Sequence, residues 1–426
     1  MRRTDNITGK EPTVLQLVSA SAVNPSTFVL REVRELRRTG LDVIIGQLRP
    51  VSKQMSTTGF EELASVIIRP RWWSHSFLLA LAYYSATQPR RLGQYLALIM
   101  RGDLQTKNVL KMLYVLVTAI TLAYECRNTP VKHVRAHFLH TEALAAYFVS
   151  HLLQAPYSIT VHTVVVHFPP KVVSEVIQNA SFVVADTLQV KEFLVSLSVP
   201  PEQIRLIRNG LPLDELKFQP DRPAGPPIVL AAGYLVPKKG FDVLLAACSL
   251  LLKRHVVFRC VIVGDGVERK KLDATIEALG LQSKVDMVGD LPFQALKEWY
   301  YRAVVFVMPS VTLTNGGTDG LPTVILESLA CGTPVVGTKV AAIPEVILHG
   351  TTGLLVPPNA PELLADQIQS LLGQAAVRSS LAREGRLLIE KDFDVRQNSE
   401  ILAKLILSRS GVSHASPLSE LNPEPL

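Results

Sequence analysis

Short apolar runs alternate with helix-periodic segments along most of the chain. TVLQLVSA, which begins at Thr13, predicts a strand, STFVLREVRELRRTG an amphipathic helix and LDVIIGQL a second strand. A strand, a helix and a strand with short connections predict a βαβ unit, and therefore a parallel sheet. The pattern returns at VKHVRAHF, TEALAAYFVSHLLQ, YSITVH, SFVVAD and IRLIRNG, so we expect one α/β domain over residues 13–218.

A second series of elements follows QPDRPAGPP, residues 219–227, whose proline and glycine content is typical of a linker. The predicted strands of this series are PIVLAAGYL, FRCVIVGDG, KVDMVGD, VVFVMPS, TPVVGT and GLLVPP. We expect a second α/β domain over 228–390, a C-terminal helix over 391–409 that crosses back to the first domain, and a disordered tail over 410–426. Two doubly wound sheets that face each other form a cleft at the carboxyl ends of their strands, where ligands bind.

The first half contains a long apolar and basic segment, residues about 60–128, which we expect to be a helical insert. Its most apolar stretches are WWSHSFLLALAYYSATQPRRLGQYLALIM and VLKMLYVLVTAITLAYEC. Pro89 interrupts the first and Lys111 the second, so neither has the roughly 18 uninterrupted apolar residues typical of a membrane span. Amphipathic helices on an anionic membrane surface and helices that cover a core with a solvated basic face both fit this pattern.

Composition supports two globular domains, since the 426 residues are 48% hydrophobic and 19% charged. The net charge of +7 is uneven: residues 1–222 hold 25 Lys and Arg against 17 Asp and Glu, whereas 223–426 hold 19 against 20. A basic first half concentrates anionic partners, which favours an acidic or membrane-borne one. No nucleic-acid partner is expected, because basic and aromatic residues do not interleave as a binding platform requires.

The cysteines and the N-terminal segment bear on the cellular compartment. The four cysteines, at positions 126, 248, 260 and 331, have no CxxC spacing, which favours buried thiols in a reducing cytosol over a disulfide or zinc framework. The start MRRTDNITGKEPT contains no apolar signal-peptide region. We expect a cytoplasmic protein, with peripheral contact to the inner face of the membrane as an option.

The stretch TDGLPTVILESLACGTPVV, residues 318–336, places two carboxylates on either side of a Gly-Leu-Pro turn. If a helix begins near Thr323, Asp319 lies in the loop before it and Glu327 about one turn inside. The N-terminus of a helix presents unpaired N–H groups and partial positive charge, which suit a phosphate. We therefore expect a phosphate-bearing ligand here, with the two acids contacting its neutral hydroxyl groups.

Other candidate residues lie where neighbouring strands of the second half should end. GYLVPKKGFD places Lys238 and Lys239 at a helix start, where they either bind phosphate or are solvated surface lysines. VGDG, with Gly264 and Gly266, predicts a tight turn that lets a ligand approach the backbone. Because these signals fall on one edge of one sheet, they support a single site.

Several motifs in this half recur in a fixed order. G-x-L-x-x-x-K-G, V-G-D-G, P-S, D-G-L-P-x-x-x-x-E-S-x-A-C-G-x-P-V-V-G, I-P-E and G-x-x-G-L-L-V-P resemble the donor half of the family-four retaining glycosyltransferases of the GT-B fold. In the first half, PSTFVLREVRELRRTG, VRAHF and APYSITVH are similar to segments of the exopolysaccharide and lipopolysaccharide-type branch. The resemblance implies two Rossmann-like domains facing a central cleft. It also implies transfer of a sugar from a nucleotide-sugar to a glycan or lipid-linked acceptor, with no metal and no cofactor.

The same resemblance implies roles for individual residues. Glu327 would bind the ribose of the donor, and Asp319 would contact the hydroxyls of the donor sugar or steady positive charge at its anomeric carbon. Lys239 would neutralise the charge that builds on the leaving diphosphate. Thr323 and Val324 would offer backbone N–H groups to that diphosphate.

Further residues are implied around this set. Gly320 and Leu321, in the turn, would complete the donor-binding loop. His162, at the end of YSITVH, would act near the donor sugar as a hydrogen-bond partner or proton shuttle, unless it is a satisfied histidine at a strand end. We expect His137 to be structural and Glu345 to tighten the loop before the next helix.

Three positions depart from the family pattern. Tyr234 stands where an arginine usually grips the diphosphate, and supplies one neutral donor instead of a charged fork. Ser26 replaces an acid in the opening motif, and Val165 an aspartate after His162. Two interpretations therefore stand: an active retaining transferase, favoured by the intact lysine and acids, and a non-catalytic GT-B binding or scaffold subunit of a polysaccharide-assembly complex, favoured by the departures.

Overall fold

The computed structural model describes residues 12–18, 27–48, 67–68, 75–101, 106–164, 166, 168–223, 225–314 and 316–409. Ser26, Val165 and the predicted tail 410–426 lie outside the described residues. The strands are β1 (Thr13–Val18), β2 (Asp42–Gln47), β3 (Ile67–Ile68), β4 (Val131–His137), β5 (Tyr157–Val161), β6 (Phe182–Ala185), β7 (Ile204–Leu206), β8 (Ile228–Ala232), β9 (Arg259–Val263), β10 (Val285–Gly289), β11 (Ala303–Met308), β12 (Val335–Thr338) and β13 (Gly353–Val356).

The helices lie between these strands and, for the last three, after β13. They are α1 (Thr27–Arg38), α2 (His75–Thr87), α3 (Pro89–Arg101), α4 (Thr106–Cys126), α5 (Thr141–Leu153), α6 (Pro170–Gln178), α7 (Leu188–Ser196), α8 (Phe241–Lys253), α9 (Arg269–Ala278), α10 (Phe293–Arg302), α11 (Thr323–Ala330), α12 (Pro361–Gly373), α13 (Ala375–Asp392) and α14 (Val395–Arg409). Short 3-10 turns cover Pro201–Gln203, Pro237–Lys239 and Ile343–Glu345.

The described strands form two parallel sheets, one in each half of the chain. The first has the order β3-β2-β1-β4-β5-β6-β7, and the second β10-β9-β8-β11-β12-β13. In each sheet the first strand of the domain lies inside, and the order reverses there, which places a crevice at the carboxyl ends of the strands. The predicted α/β class with two doubly wound sheets is confirmed.

The apolar and basic insert differs from its prediction in one respect. Ile67 and Ile68 form a short strand beside β2, so the sheet extends into this segment, and the described helices begin only at His75. Helix α4 is long and apolar enough, over Asn108–Cys126, to cross a membrane by length and composition alone. Its residues Met112 and Leu122 are fully buried in the core of the first domain, as in a central helix of a globular fold.

The C-terminal helix α14 packs on the first domain. Leu402 and Ile406 share a core cluster with Val29 and Val33 of α1. The helix begins at Val395 rather than at residue 391, and the carboxylate of Asp394 accepts a hydrogen bond from the N–H of Arg396 at 2.8 Å. A side-chain acceptor at this position is a helix start signal, which explains why α13 and α14 are separate helices.

Candidate functional site

Helix α11 begins at Thr323, directly after Pro322, and ends at Ala330. Its N-cap residue is Pro322, whose side chain makes no capping hydrogen bond, so among the described contacts the backbone N–H groups of Thr323 and Val324 are available to an anion. Gly320 and Leu321 lie in the loop that leads into the helix. The helix start expected from the sequence is therefore present, and it faces the space between the two domains.

Two lysines meet Asp319 in front of this helix. Nζ of Lys239 forms a short ion pair with Oδ2 of Asp319, and Nζ of Lys238 lies 3.2 Å from Oδ1. Burial acts to raise the pKa of Asp319, but the two ammonium groups outweigh it and hold that pKa below its usual range. The site thus combines a buried ammonium group, a carboxylate and the positive end of a helix.

Glu327 lies one turn inside α11 and is buried. Its Oε2 accepts a hydrogen bond from the Tyr300 hydroxyl at 3.1 Å, and its Oε1 accepts one from Nη2 of Arg31 at 3.3 Å. Burial raises the pKa of Glu327, and the Arg31 guanidinium only partly offsets this effect. Because Arg31 lies on α1, this contact joins the first domain to the second, and the guanidinium also lies 5.2 Å from the ring centre of Phe293 on α10.

The glycines of the VGDG turn have a structural reason for their identity. Gly264 and Gly266 have φ angles of +138° and +159°, which side-chain-bearing residues rarely adopt. A Cβ on Gly264 would lie 2.0 Å from the carbonyl oxygen of Gly233, and one on Gly266 would lie 2.6 Å from that of Leu235. These glycines let two loops of the second domain pack closely. Tyr234, in the first of those loops, is 58% exposed.

His162 follows β5 and contributes to a cavity of about 220 Å³ between the domains. Lys238 and Gly320 line the same cavity from the second domain. A Cβ built on Gly320 would lie 3.3 Å from the carbonyl oxygen of His162, so the two domains approach closely here. The structure therefore brings His162 to the loop before α11 that the sequence singled out.

Both ring nitrogens of His162 are engaged within the first domain. Its Nε2 lies 2.9 Å from Nδ1 of His137, and its Nδ1 lies 2.8 Å from Oδ2 of Asp186. Nε2 of His137 lies 3.1 Å from Glu32, whose two oxygens accept hydrogen bonds from Arg135 at 2.7 and 2.8 Å. Burial acts to raise the pKa of Glu32, but Arg135 and His137 keep it well below its usual value.

These contacts define two sides of the cleft. We call Lys239, Asp319, Thr323, Val324 and Glu327 the C-terminal wall, and Glu32, His137, His162 and Asp186 the N-terminal wall. Each wall is assembled within its own domain, and Arg31 connects the domains beside Glu327.

Glu345 forms a second connection between the domains. Its carboxylate accepts hydrogen bonds from the N–H groups of Leu188 and Gln189, at the start of α7, and from Nη1 of Arg208 at 2.8 Å. This carboxylate at a helix N-terminus stabilises the partial positive charge there. Glu345 therefore binds the other domain, in addition to its place in a short turn of its own loop.

Sequence reasoning did not identify several residues of the site: Arg31, Glu32, Arg135, Asp186 and Tyr300. Arg31 and Glu32 lie in an amphipathic helix, where charged residues usually face solvent. Asp186 gave a usable signal, because it follows the strand FVVA and parallel strands end at the same edge as His162. The Arg31–Glu327 contact spans 296 positions, and no local pattern indicates it.

The described chain has the architecture of the GT-B proteins. Its structure matches that of HepE from Anabaena, solved in complex with UDP, with a TM-score of 0.72 over 93% of this chain and 100% of that chain. The two sequences are 17% identical, a level at which the likeness shows the fold.

The family comparison matches the second domain. Residues 213–388 are similar to the family described as Glycosyl transferases group 1. Over 216 residues the chain is 32% identical to the putative colanic acid biosynthesis glycosyltransferase WcaL of Salmonella typhimurium, which covers 50% of this chain and 53% of WcaL. It is 29% identical over 217 residues to the amylovoran biosynthesis glycosyltransferase AmsK of Erwinia amylovora, with the same two coverages. The chain spans about half the length of these relatives.

Proposed function

We propose that this protein is a retaining, metal-independent hexosyltransferase that moves a sugar from a nucleotide-sugar donor to a glycan or lipid-linked acceptor in exopolysaccharide biosynthesis. One observation carries the proposal: Lys239 and Asp319 form an ion pair in front of the N-terminus of α11, whose N-cap residue is Pro322, with Glu327 one turn inside. The relatives named for colanic acid and amylovoran biosynthesis support the pathway class, and the UDP held by HepE supports a nucleotide donor.

In the proposed reaction, the diphosphate of the donor lies at the N-terminus of α11. The N–H groups of Thr323 and Val324 and the ammonium group of Lys239 oppose the negative charge that grows on the diphosphate as the bond to the sugar breaks. Asp319 faces the sugar and stabilises the oxocarbenium-like transition state. Because a lysine and a helix terminus supply the positive charge, the proposed step does not require a metal ion.

Glu327 is proposed to bind the ribose hydroxyls. Its carboxylate now accepts hydrogen bonds from Tyr300 and Arg31, so a ribose would share or replace the contact with Arg31. Since Arg31 belongs to the first domain, donor binding at Glu327 is linked to the fit between the domains. Closure of the cleft around the donor would exclude water from the reacting centre.

The proposed activity is tested by donor turnover. Release of nucleoside diphosphate is measured for a panel of UDP-, GDP- and dTDP-sugars, with water or lipid-linked glycans as acceptors, for the wild type and Lys239→Ala. The proposal is supported if the wild type releases nucleoside diphosphate from one donor and Lys239→Ala does not. Retention is supported if the anomeric bond of the product has the same configuration, axial or equatorial, as that of the donor. Tight binding of a donor without any release would favour the non-catalytic subunit instead.

The helical insert supports a proposed location at the cytoplasmic face of a membrane. Helices α2, α3 and α4 carry exposed apolar side chains in the half of the chain that is basic. These are Leu78, Leu79, Leu81, Tyr83, Leu96, Met100 and Leu110. Apolar side chains enter the boundary between headgroups and acyl chains, and basic residues add attraction to anionic lipids.

This location is tested by flotation of the full chain with anionic and neutral liposomes. We expect binding to anionic vesicles that weakens with salt and with Leu78→Ser combined with Leu110→Ser. Leu387→Ser, which removes a 57% exposed leucine from the second domain, is the matched control and should bind normally. Equal binding to neutral and anionic vesicles would contradict the role of the basic half.

A further inference from the structure

The N-terminal wall contains an unbroken row of hydrogen bonds between two carboxylates. The row runs from Glu32 through His137 and His162 to Asp186, with contacts of 3.1, 2.9 and 2.8 Å. The two imidazole rings lie within 5° of parallel with centroids 5.2 Å apart, as expected when a nitrogen of each lies in a common plane and faces the other. All four ring nitrogens are therefore used.

The number of protons in this row follows from its geometry. Three hydrogen bonds require three protons, and carboxylates supply none when ionised. Two neutral imidazoles supply only two protons, so one contact would bring two lone pairs together at less than about 3.2 Å, within hydrogen-bond distance. A third proton removes that repulsion.

The charges around the row lead to the same count. Glu32 and Asp186 each contribute a negative charge, and Arg135, paired with Glu32, contributes one positive charge. With two neutral imidazoles the buried group would have a net charge of −1, and with a third proton it is neutral. Buried charge is costly unless it is balanced, so neutrality favours the third proton.

The other groups that face the row do not change this balance. Nδ2 of Asn209 donates to Oδ2 of Asp186 at 2.9 Å and lies 3.3 Å from Nδ1 of His162. Arg208 is paired with Glu345, and the rings of Phe28 and Phe138 both lie 4.8 Å from that of His162. Burial, Arg135 and His162 lower the pKa of His137, and Glu32 acts to raise it but only partly offsets them, so the third proton is inferred from the contacts and the charge balance of the row.

We propose that Glu32, His137, His162 and Asp186 form one proton-sharing unit that holds a single extra proton at the cleft. Glu32, His137 and Asp186 are positioning residues, which fix the ring of His162. The inference deepens the proposed function: the extra proton keeps the unit neutral toward an anionic donor, and His162 is not a base, because both of its ring nitrogens are engaged within the row.

The proton count is measured directly by nitrogen NMR of the full chain labelled at its histidine rings. His137→Gln and His162→Gln assign the signals, and His151→Gln, a histidine of α5 outside the unit, controls for loss of a single ring. At pH 7.5 we expect three protonated nitrogens among the four of the wild-type pair. Two protonated and two unprotonated nitrogens would overturn the proposal. Because the count is made on the wild-type protein, it does not depend on how a variant folds.

Asp186→Asn tests the cause of the extra proton. The asparagine amide can donate to Nδ1 of His162 once the amide of Asn209, which donates to this position in the wild type, turns so that its oxygen accepts. The row is then complete with two ring protons, and the group is already neutral. We expect the variant to lose one ring proton relative to the wild type. A variant that keeps three would overturn the assignment to the flanking carboxylates.

The consequence for turnover is tested with the donor found in the release assay. The wild-type rate should fall as pH rises through loss of the shared proton, whereas Asp186→Asn, whose row is neutral without that proton, should lack the fall. The same fall in the variant would contradict the proposal. If no donor is turned over, the proposed function fails. The proton count is tested independently by the NMR spectra.

Discussion

The two walls of the cleft balance charge in different ways. On the C-terminal wall, Lys239 and Asp319 neutralise each other through a direct ion pair, and their side chains are 11% and 16% exposed. On the N-terminal wall, His162 and Asp186 are less exposed, at 6% and 7%, and belong to a continuous row of hydrogen bonds. One wall thus holds charges that a ligand can reach and pair with, whereas the other is closed on itself.

This difference separates the roles of the walls. A diphosphate can compete for Lys239 because the exchange replaces one anion by another at a helix N-terminus. A ligand could compete for a nitrogen of His162 only by breaking a bond in a buried row, which leaves a polar group unpaired. We therefore expect substitutions on the C-terminal wall to change donor binding and rate, and those on the N-terminal wall to change proton uptake.

The largest expected effect is that of Lys239→Ala on donor turnover. Loss of the ammonium group removes stabilisation from the leaving diphosphate, and we expect kcat to fall on the order of 10²- to 10³-fold. Lys238→Ala is the matched control, because its side chain is 37% exposed and its contact to Asp319 is longer. A fall of equal size in both variants would mean that Lys239 has no special position.

Arg31→Ala should weaken the connection between the walls. The change leaves the buried carboxylate of Glu327 without its cationic partner, at a cost of roughly 1–3 kcal/mol in the free energy of unfolding. Arg38→Ala on the same helix, whose side chain is 64% exposed in its pair with Glu35, should cost about 0–1 kcal/mol. Denaturant unfolding midpoints compare the two, and equal midpoints would contradict a contribution from the contact between domains.

The pH dependence of stability should carry a signature of Asp319. Because its pKa is lower in the folded than in the unfolded chain, the carboxylate contributes stability above its ordinary pKa of 3.8. That contribution is lost as pH falls through the folded value. Asp319→Asn should therefore lose less stability between neutral and acid pH than the wild type does.

The control for this loss of stability at acid pH is Asp366→Asn. Asp366 forms an exposed pair with Arg254, and its side chain is 50% exposed. This variant should lose as much stability between neutral and acid pH as the wild type does. If Asp319→Asn also matches the wild type, the two lysines do not depress the pKa of Asp319.

The smallest expected effect concerns Tyr234, which stands where the resemblance implies an arginine. Tyr234→Arg adds a charged fork in a loop beside the C-terminal wall, and about 1 kcal/mol of added attraction corresponds to roughly fivefold tighter binding of a nucleoside diphosphate. Tyr234→Phe removes the single neutral donor and should bind no more tightly than the wild type. Dissociation constants for the nucleoside diphosphate are measured by calorimetry. Weaker binding by Tyr234→Arg than by the wild type would show that a cation at this position does not contribute to binding.

The predictability of the two walls from sequence follows from how each is assembled. Asp319, Thr323 and Glu327 lie within nine positions of one loop and helix, so helix geometry alone predicted their arrangement, and α11 does begin at Thr323. The alternation of strands and helices predicted both sheets in the same local way.

The N-terminal wall could not be predicted in this way, because its members come from α1, β4 and the residues that follow β5 and β6. His162 was singled out, but Asp186, which contacts it, and Glu32, which contacts His137, looked like ordinary strand-end and helix acids. The φ angles and close packing of Gly264 and Gly266 likewise depend on a neighbouring loop that the VGDG motif does not contain. Tertiary partners of this kind leave no periodic signal in the sequence.

The central claim, that the C-terminal wall is a nucleotide-sugar donor site, is tested most directly by calorimetric titration with UDP, GDP and dTDP. The wild type, Lys239→Ala, Glu327→Ala and the surface control Asp366→Asn are titrated under the same conditions. We expect one nucleotide to bind the wild type and the control with equal affinity and both wall variants at least tenfold more weakly, which corresponds to about 1.4 kcal/mol. Binding that both wall variants retain would contradict the account and place the nucleotide elsewhere.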